Sequence, residues 1–312
     1  MDTEASELHE PNDGAGCLLC DAPTTDGGVI YHPSDPQVAG VPIKLRHASY
    51  SLRRCSRCKF AFKWPRIDEQ DLLDCYEAAP GDQWGEDVDT ERRAYGLLAS
   101  LIEKHRSGDR ILDVGCFTGT LLAYLKGDWD RYGVEPALAA AETARGRGIR
   151  VLGPTIEGLD AEAGRFHTIL SVDVLEHLDD PATHLKEMAD RLEPGGCFVA
   201  VTGDTSTWPW RMQGSRHWYS AMPEHVSYYC PQALRKAGEG LGLEMVDRLV
   251  FRHTRSSFID ESIHLIKAFA YSCGVAVHRL IPNPITKVAY RRAAPVWMSA
   301  PNHMAVVLRK RV

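Results

Sequence analysis

Two pairs of cysteines open the chain, Cys17-x2-Cys20 and Cys55-x2-Cys58. Four thiolates at this spacing suit a tetrahedral Zn²⁺ in a closed structural site. The 34 residues between the pairs exceed the usual ribbon spacing, but "VIYHPSDPQVAGVPIKLRHASYSL" can fill them as a hairpin. Four unrelated thiols are the plainer alternative. A region this small, with so few apolar residues, needs a staple to fold, which favours a structural metal.

A second stretch with chemical potential is "ILDVGCFTGTLL", residues 111–122, a strand running through a tight turn into a helix. In open parallel sheets ligands sit over such turns, at the carboxyl ends of the strands. Gly115 and Gly119 lack Cβ atoms and let a ligand approach the backbone, and a helix starting near Thr118 would aim free N–H groups at it. Twenty residues after Gly115, Glu135 ends the next strand in "YGVEP", where its carboxylate can accept from both hydroxyls of a ribose. The dinucleotide fingerprint fails, because Phe117 takes its second glycine position and Thr120 its third. A nucleoside cofactor without a pyrophosphate fits this turn better.

Strands at "RILDVG", "RYGVE", "IRVLG", "FHTILSV" and "CFVAVTG" alternate with helical "GTLLAYLKG", "PALAAAETARG" and "DPATHLKEMADRL". Short apolar strands between amphipathic helices predict an α/β fold whose parallel sheet is covered on both faces. A helix with Leu97, Leu98, Leu101 and Ile102 on one face precedes them, and strands "LEMVDRLVF" and "MAVVLRK" follow. The pattern divides the chain into an acidic tail (1–16), a cysteine-rich unit (17–75), the alternating region (76–253), a helical insertion (254–298) and a last strand (299–312). The linker "APGDQWGED" separates the second unit from the third.

The 312 residues, 44% hydrophobic and 25% charged, are those of an ordinary globular protein. A net charge of −6 argues against general polyanion binding. No Lys or Arg occurs before Lys44, so the start does not read as a secretory signal and a cytoplasmic protein is expected. The longest apolar run, at 268–277, falls short of the ~20 residues that span a bilayer. Nine cysteines in a reducing compartment would be free or metal-bound.

With "ILDVGCFTG", "GVEP", "FHTILSVDVLEHLDDP" and "RLEPGGCFVAVTG" in this order and spacing, the chain resembles the class I S-adenosylmethionine-dependent methyltransferases over residues 90–253 and the last strand. The resemblance implies a Rossmann-like, mostly parallel seven-stranded sheet with helices on both faces and an antiparallel final strand. It also implies S-adenosyl-L-methionine as cofactor. By position Asp113, Gly115 and Gly119 would hold the methionine portion, with Cys116 and Phe117 in the same turn. Glu135, followed by Pro136, would hold the ribose, Thr155 and Ile156 would lie beside the adenine, and Val172 and Asp173 would face the sulfonium. Phe117 departs from the family, where many members have glycine, and could alter how the methionine end is held. The segment "CSRCKFAFKWPRIDEQDLLDCYE" resembles the zinc-binding N-terminal part of a subset of bacterial methyltransferases, several acting on sugars or natural-product intermediates.

Methyl transfer from a sulfonium is an in-line displacement, helped by a base that removes the acceptor's proton. His177 in "VLEHLDD" and His225 in "WYSAMPEHVSYY" are the candidates; for His177 a purely structural tie to the loop stands beside the catalytic role. His217, Tyr219 and Glu224 are lesser candidates. Trp208, Trp210, Trp218, Tyr228 and Tyr229 could stack on an acceptor or simply pack. Asp173, Glu176 and His177 are too closely spaced to assume a second metal cluster. In the insertion, Ile259, Ile263, Ile266, Ala270 and Cys273 form one stripe, expected to be core.

The expected acceptor is a hydroxyl of a small molecule or sugar-bearing intermediate. The alternatives are an RNA base methyltransferase, gripping RNA through Arg53, Arg54, Arg57, Lys59, Lys63 and Arg66, and a non-catalytic zinc-containing binding protein.

Overall fold

The computed structural model describes residues 16–79, 88–157, 159, 164–252, 257–297, 300 and 302–312. The tail expected at 1–16 (all but Gly16), most of the expected linker and the outer limits of the insertion lie outside them.

The cysteine-rich part forms β1 (Thr24–Ile30), β2 (Gln37–Val38), β3 (Val41–Pro42), β4 (Tyr50–Cys55) and β5 (Ala61–Trp64), followed by α1 (Glu69–Glu77). β1 pairs antiparallel with β4, and β4 with β5. The stretch between the cysteine pairs thus does fold back on itself, with the β2–β3 hairpin inside it.

The alternating region gives α2 (Val88–His105), β6 (Arg110–Val114), α3 (Thr120–Tyr124), β7 (Asp130–Val134), α4 (Leu138–Gly146), β8 (Arg150–Gly153), β9 (Phe166–Val172), α5 (Pro181–Asp190) and β10 (Leu192–Gly203). After it come α6 (Trp208–Gln213), α7 (Trp218–Ala221), β11 (Ser227–Tyr228), α8 (Pro231–Gly240), β12 (Leu243–Phe251), α9 (Phe258–Leu280), α10 (Pro284–Tyr290) and β13 (His303–Lys310). The large sheet runs β12-β13-β10-β9-β6-β7-β8, with β13 antiparallel to both its neighbours and the other six strands all running in one direction. This is the Rossmann-like seven-stranded sheet, and its strand order reverses between β6 and β9.

Both faces of the sheet are covered because successive residues point to opposite sides. Leu112, Ile169, Phe198 and Val306 join one apolar cluster, whereas Ile111, Leu170, Val199 and Val307 join the other. α5 begins as its sequence dictates: Asp180 accepts from the Thr183 N–H at 3.2 Å and Pro181 takes the first helical position.

One expectation fails, and two features have no counterpart in the sequence reading. The "EPGG" stretch, which follows the end of α5, is the bulged start of β10, with the register to β9 shifting between Leu192 and Cys197. β11 leaves the methyltransferase-like part and pairs with β5, so the small sheet runs β1-β4-β5-β11. The stripe on α9 faces outward rather than into the core, and the opposite side holds the helix, through Ala268 packed with Trp297 and Ala300. An aromatic ring can approach closely over a small Ala side chain, which periodicity alone does not weigh.

Candidate functional site

The turn after β6 folds back on the end of β7. The N–H groups of Gly115 and Cys116 both donate to the Val134 carbonyl, at 2.9 and 3.0 Å. Glu135 then clamps two loops: one carboxylate oxygen accepts from the Phe117 N–H and the other from the Ala137 N–H, each at 2.8 Å. Phe117 stands at φ +46°, a left-handed conformation that glycine adopts at lower cost, so it keeps the turn's shape while adding a ring. Gly115 and Gly119 also have left-handed φ, and a Cβ on them would lie 2.4 Å from Val174 Cγ2 and 2.8 Å from Ile149 Cγ1. Close packing therefore requires both glycines, whatever approaches from outside. α3 starts at Thr120, two residues later than expected, and the Phe117 N–H is taken by Glu135.

Beneath this turn Asp113 is buried and its Oδ1 has no hydrogen-bond partner. Burial, with Glu135 adding repulsion, holds its carboxyl up to about 8. A buried acceptor without a donor calls for one from outside the protein. Burial likewise raises Glu135, against the two backbone N–H groups that favour its charge. Cys116 is buried against the core and Pro136 is half-buried beside Glu135. On the neighbouring loop Thr155 is half-buried, whereas Ile156 belongs to the core. Val172 and Asp173 end β9 at the same edge, with Asp173 at φ +52° and its Oδ1 3.9 Å from His303 Nε2.

A second group of side chains meets past the end of β9. Glu176 is buried; its Oε1 accepts from the Tyr219 hydroxyl at 2.6 Å and its Oε2 from the Thr202 hydroxyl at 2.8 Å. His225 is buried with Nδ1 3.0 Å from the Tyr219 carbonyl. A carbonyl only accepts, so Nδ1 carries the proton and Nε2 the lone pair. Burial, with the nearby His177, holds the His225 imidazole well below its usual range, hence neutral. The His177 and His225 rings are 5.0 Å apart, and His177 Nδ1 lies 2.7 Å from the Tyr76 hydroxyl. Ligand-capable atoms of Glu176, His177 and His225 all fall within 4.8 Å of one another, a cluster hidden in the sequence because His225 is far from the other two.

Sequence reasoning missed Tyr76 and misread Lys63. Tyr76 sits on α1 in "LDCYE", about a hundred residues before its histidine partner, with no local signal. Lys63 is not part of a basic surface: it is buried on β5, its Nζ donating to the carbonyls of Met222 and Pro223 at 2.9 and 3.1 Å. Desolvation lowers it to about 7. β11 and the 218–226 segment cover this part of β5. His217 caps α7 and is buried, Trp210, Tyr228 and Tyr229 are packing residues, and Glu224 is buried with Oε2 lacking a partner.

The four N-terminal sulfurs also converge. Cys17 lies 3.6 Å from Cys58, Cys20 3.6 Å from Cys55 and 3.7 Å from Cys58. Zn–S bonds of about 2.3 Å place tetrahedral sulfurs about 3.8 Å apart, so the spacing suits zinc. Backbone N–H groups of Leu19, Arg57 and Cys58 point at Cys17 and Cys55 Sγ from 3.3–3.4 Å, which favours thiolates.

A family profile described as a methyltransferase domain matches residues 87–248, just over half of the chain. The chain is 29% identical over 161 residues to a ubiquinone biosynthesis O-methyltransferase of Dinoroseobacter shibae, a match covering 45% of this chain and 62% of that protein. It therefore spans less than two thirds of that relative's length. It is 33% identical over 129 residues to a tRNA U34 carboxymethyltransferase of Methylococcus capsulatus, covering 38% of each. The fold is similar to an N-methyltransferase of Bradyrhizobium japonicum in complex with S-adenosyl-l-homocysteine, with TM-score 0.50, 17% identity, and 78% of this chain and 99% of that one covered. Sheet order, the clamped turn after β6 and the profile match agree: the chain belongs to the methyltransferase domain family, with the class I S-adenosylmethionine-dependent fold.

Proposed function

We propose that the chain is an S-adenosylmethionine-dependent O-methyltransferase acting in the cytoplasm on a small molecule or a sugar-bearing intermediate. The observation that carries the cofactor reading is the pair of carboxylates ending β6 and β7: Asp113, buried with a partnerless oxygen, and Glu135 beside it. Asp113 would meet the cationic methionine end and Glu135 the ribose hydroxyls, with Gly115, Cys116, Phe117 and Gly119 shaping the turn. Pro136, Thr155 and Ile156 would flank the nucleoside, and Val172 and Asp173 the reacting end. S-adenosylmethionine supplies an electrophilic methyl group on a sulfonium. His225, neutral and with its Nε2 lone pair free of the Tyr219 contact, is suited to take the acceptor's proton, and His177 to relay it toward Tyr76. The ubiquinone-type relative supports oxygen as the methylated atom. Cys17, Cys20, Cys55 and Cys58 would hold a structural Zn²⁺.

The tRNA-directed relative, with exposed Arg54 and Arg57 near the cysteine site, favours a second reading as an RNA methyltransferase. One experiment separates the two: incubate the protein with methyl-labelled S-adenosylmethionine and fractionated host extract, with Glu135→Ala as the blank. Label in a small-molecule or glycan fraction is expected. Label in RNA would replace the first reading by the second, and no label despite tight cofactor binding would point to a binding protein without catalysis.

A further inference from the structure

α9 exposes an apolar surface that nothing among the described residues covers: of its side chains Phe258 is 88% exposed, Ile266 66%, Phe269 65% and Leu280 82%. Ile259, Ile263, Leu265 and Val277 are exposed on it as well, and α10 adds Ile285. Soluble monomers rarely leave such a patch open. We infer that this face of α9 docks in the plane of an anionic lipid surface.

Its shape and its charge point to lipid rather than to a second copy of the chain. At 3.6 residues per turn, the exposed apolar side chains from Phe258 to Ile281 sweep about 160° of the helix circumference. A helix-to-helix seam is narrower, whereas a helix lying in a bilayer interface buries a broad face. Exposed Lys267 and Arg279 each sit about 40° beyond an edge of this arc, on opposite sides, where long cationic side chains reach headgroups. Between Ser262 and Trp297 the sequence holds Lys267, Arg279, Lys287, Arg291 and Arg292 and no Asp or Glu, although the chain as a whole carries −6. The two acids at the start of α9 are engaged, Asp260 in a capping box with Ser257 and Glu261 with Arg252 at 2.6 Å. A face-to-face pair of copies would bring like charges together; an anionic surface complements them. Among the described residues no helix is long and apolar enough to cross a membrane, so the helix would lie on the surface.

The inference stands apart from the proposed function, since binding is read without turnover. The test is flotation of the full-length protein with vesicles of phosphatidylcholine alone or mixed with phosphatidylglycerol, beside sedimentation analysis without lipid. Flotation with the mixed vesicles is expected, and little with the neutral ones. Each cation at an anionic surface strengthens binding about fivefold, so Lys267→Glu with Arg279→Glu should weaken it by more than about 25-fold. Phe269→Asp with Ile266→Asp should abolish it with an unchanged melting curve, because both side chains are in solvent. Failure to float with anionic vesicles would overturn the inference, as would a stable dimer that Phe269→Asp dissolves.

Discussion

At the residue scale Glu135 braces the turn through the Phe117 and Ala137 N–H groups, and the same carboxylate is the one proposed to meet the ribose hydroxyls. A hydrogen bond to a charged group is worth about 1.5–3 kcal/mol, so losing the two proposed to the ribose hydroxyls predicts that Glu135→Ala weakens S-adenosylhomocysteine binding by about 100-fold or more. Isothermal titration calorimetry reads this directly, and unchanged affinity would remove the ribose assignment. Asp113 adds a pH signature. Its carboxyl, held up to about 8, is largely protonated in the free protein below that pH. A cationic methionine end favours the carboxylate, so binding must release a proton. Affinity should therefore rise with pH from 5.5 toward 8, by at most about tenfold per unit, and level off above. Asp113→Asn should flatten this slope; an equal slope in the variant would mean that another group carries it. The sequence showed these two carboxylates because strand, turn and spacing are local. Tyr76, Lys63 and the meeting of His177 with His225 were illegible, since each depends on where β11 and α1 settle.

β11 is the element that joins the cysteine-rich sheet to the chemistry. Ser227 pairs with Phe62, the Lys63 N–H donates to the Val226 carbonyl at 2.9 Å, and the Val226 N–H donates to the Glu176 carbonyl at 2.8 Å. Cys17, Cys55 and Cys58 share an apolar cluster with Phe60, Phe62, Tyr229 and Leu234. Zinc removal is thus expected to loosen more than the N-terminal sheet. Stripping the metal from the purified protein with a chelator should speed hydrogen exchange in residues 17–75 and also in 217–230, while β6 and β7 stay protected. Loosening confined to 17–75 would show that β11 does not transmit the loss, and a preparation containing no zinc would count against the site itself. The pairing of β5 with β11 had no signal in the sequence: a two-residue strand carries no periodicity. The central strands were legible because each is a short, bounded apolar run, and β12 was read to the residue.

At the scale of the whole molecule, the helical insertion is an excursion from a hairpin. Phe251, at the end of β12, pairs across from His303, at the start of β13, so the two strands that bracket α9 and α10 are already in register where the chain leaves and returns. β13 is different in kind. It lies between β10 and β12 with Met304 through Leu308 buried, and the large sheet cannot close without it. Most side chains of α9 instead face solvent, and its hold on the rest runs through a few contacts, such as Ala268 with Trp297 and the His264 ring over the same indole. Replacing residues 253–300 by Asn-Gly, which leaves a five-residue antiparallel connection between Phe251 and His303, should therefore preserve the sheet. The shortened chain is expected to melt cooperatively and bind S-adenosylhomocysteine within a few-fold of the parent, yet no longer float with anionic vesicles. Loss of cofactor binding would mean that the insertion supports the turn after β6. Retained flotation would move the lipid-facing surface elsewhere on the molecule.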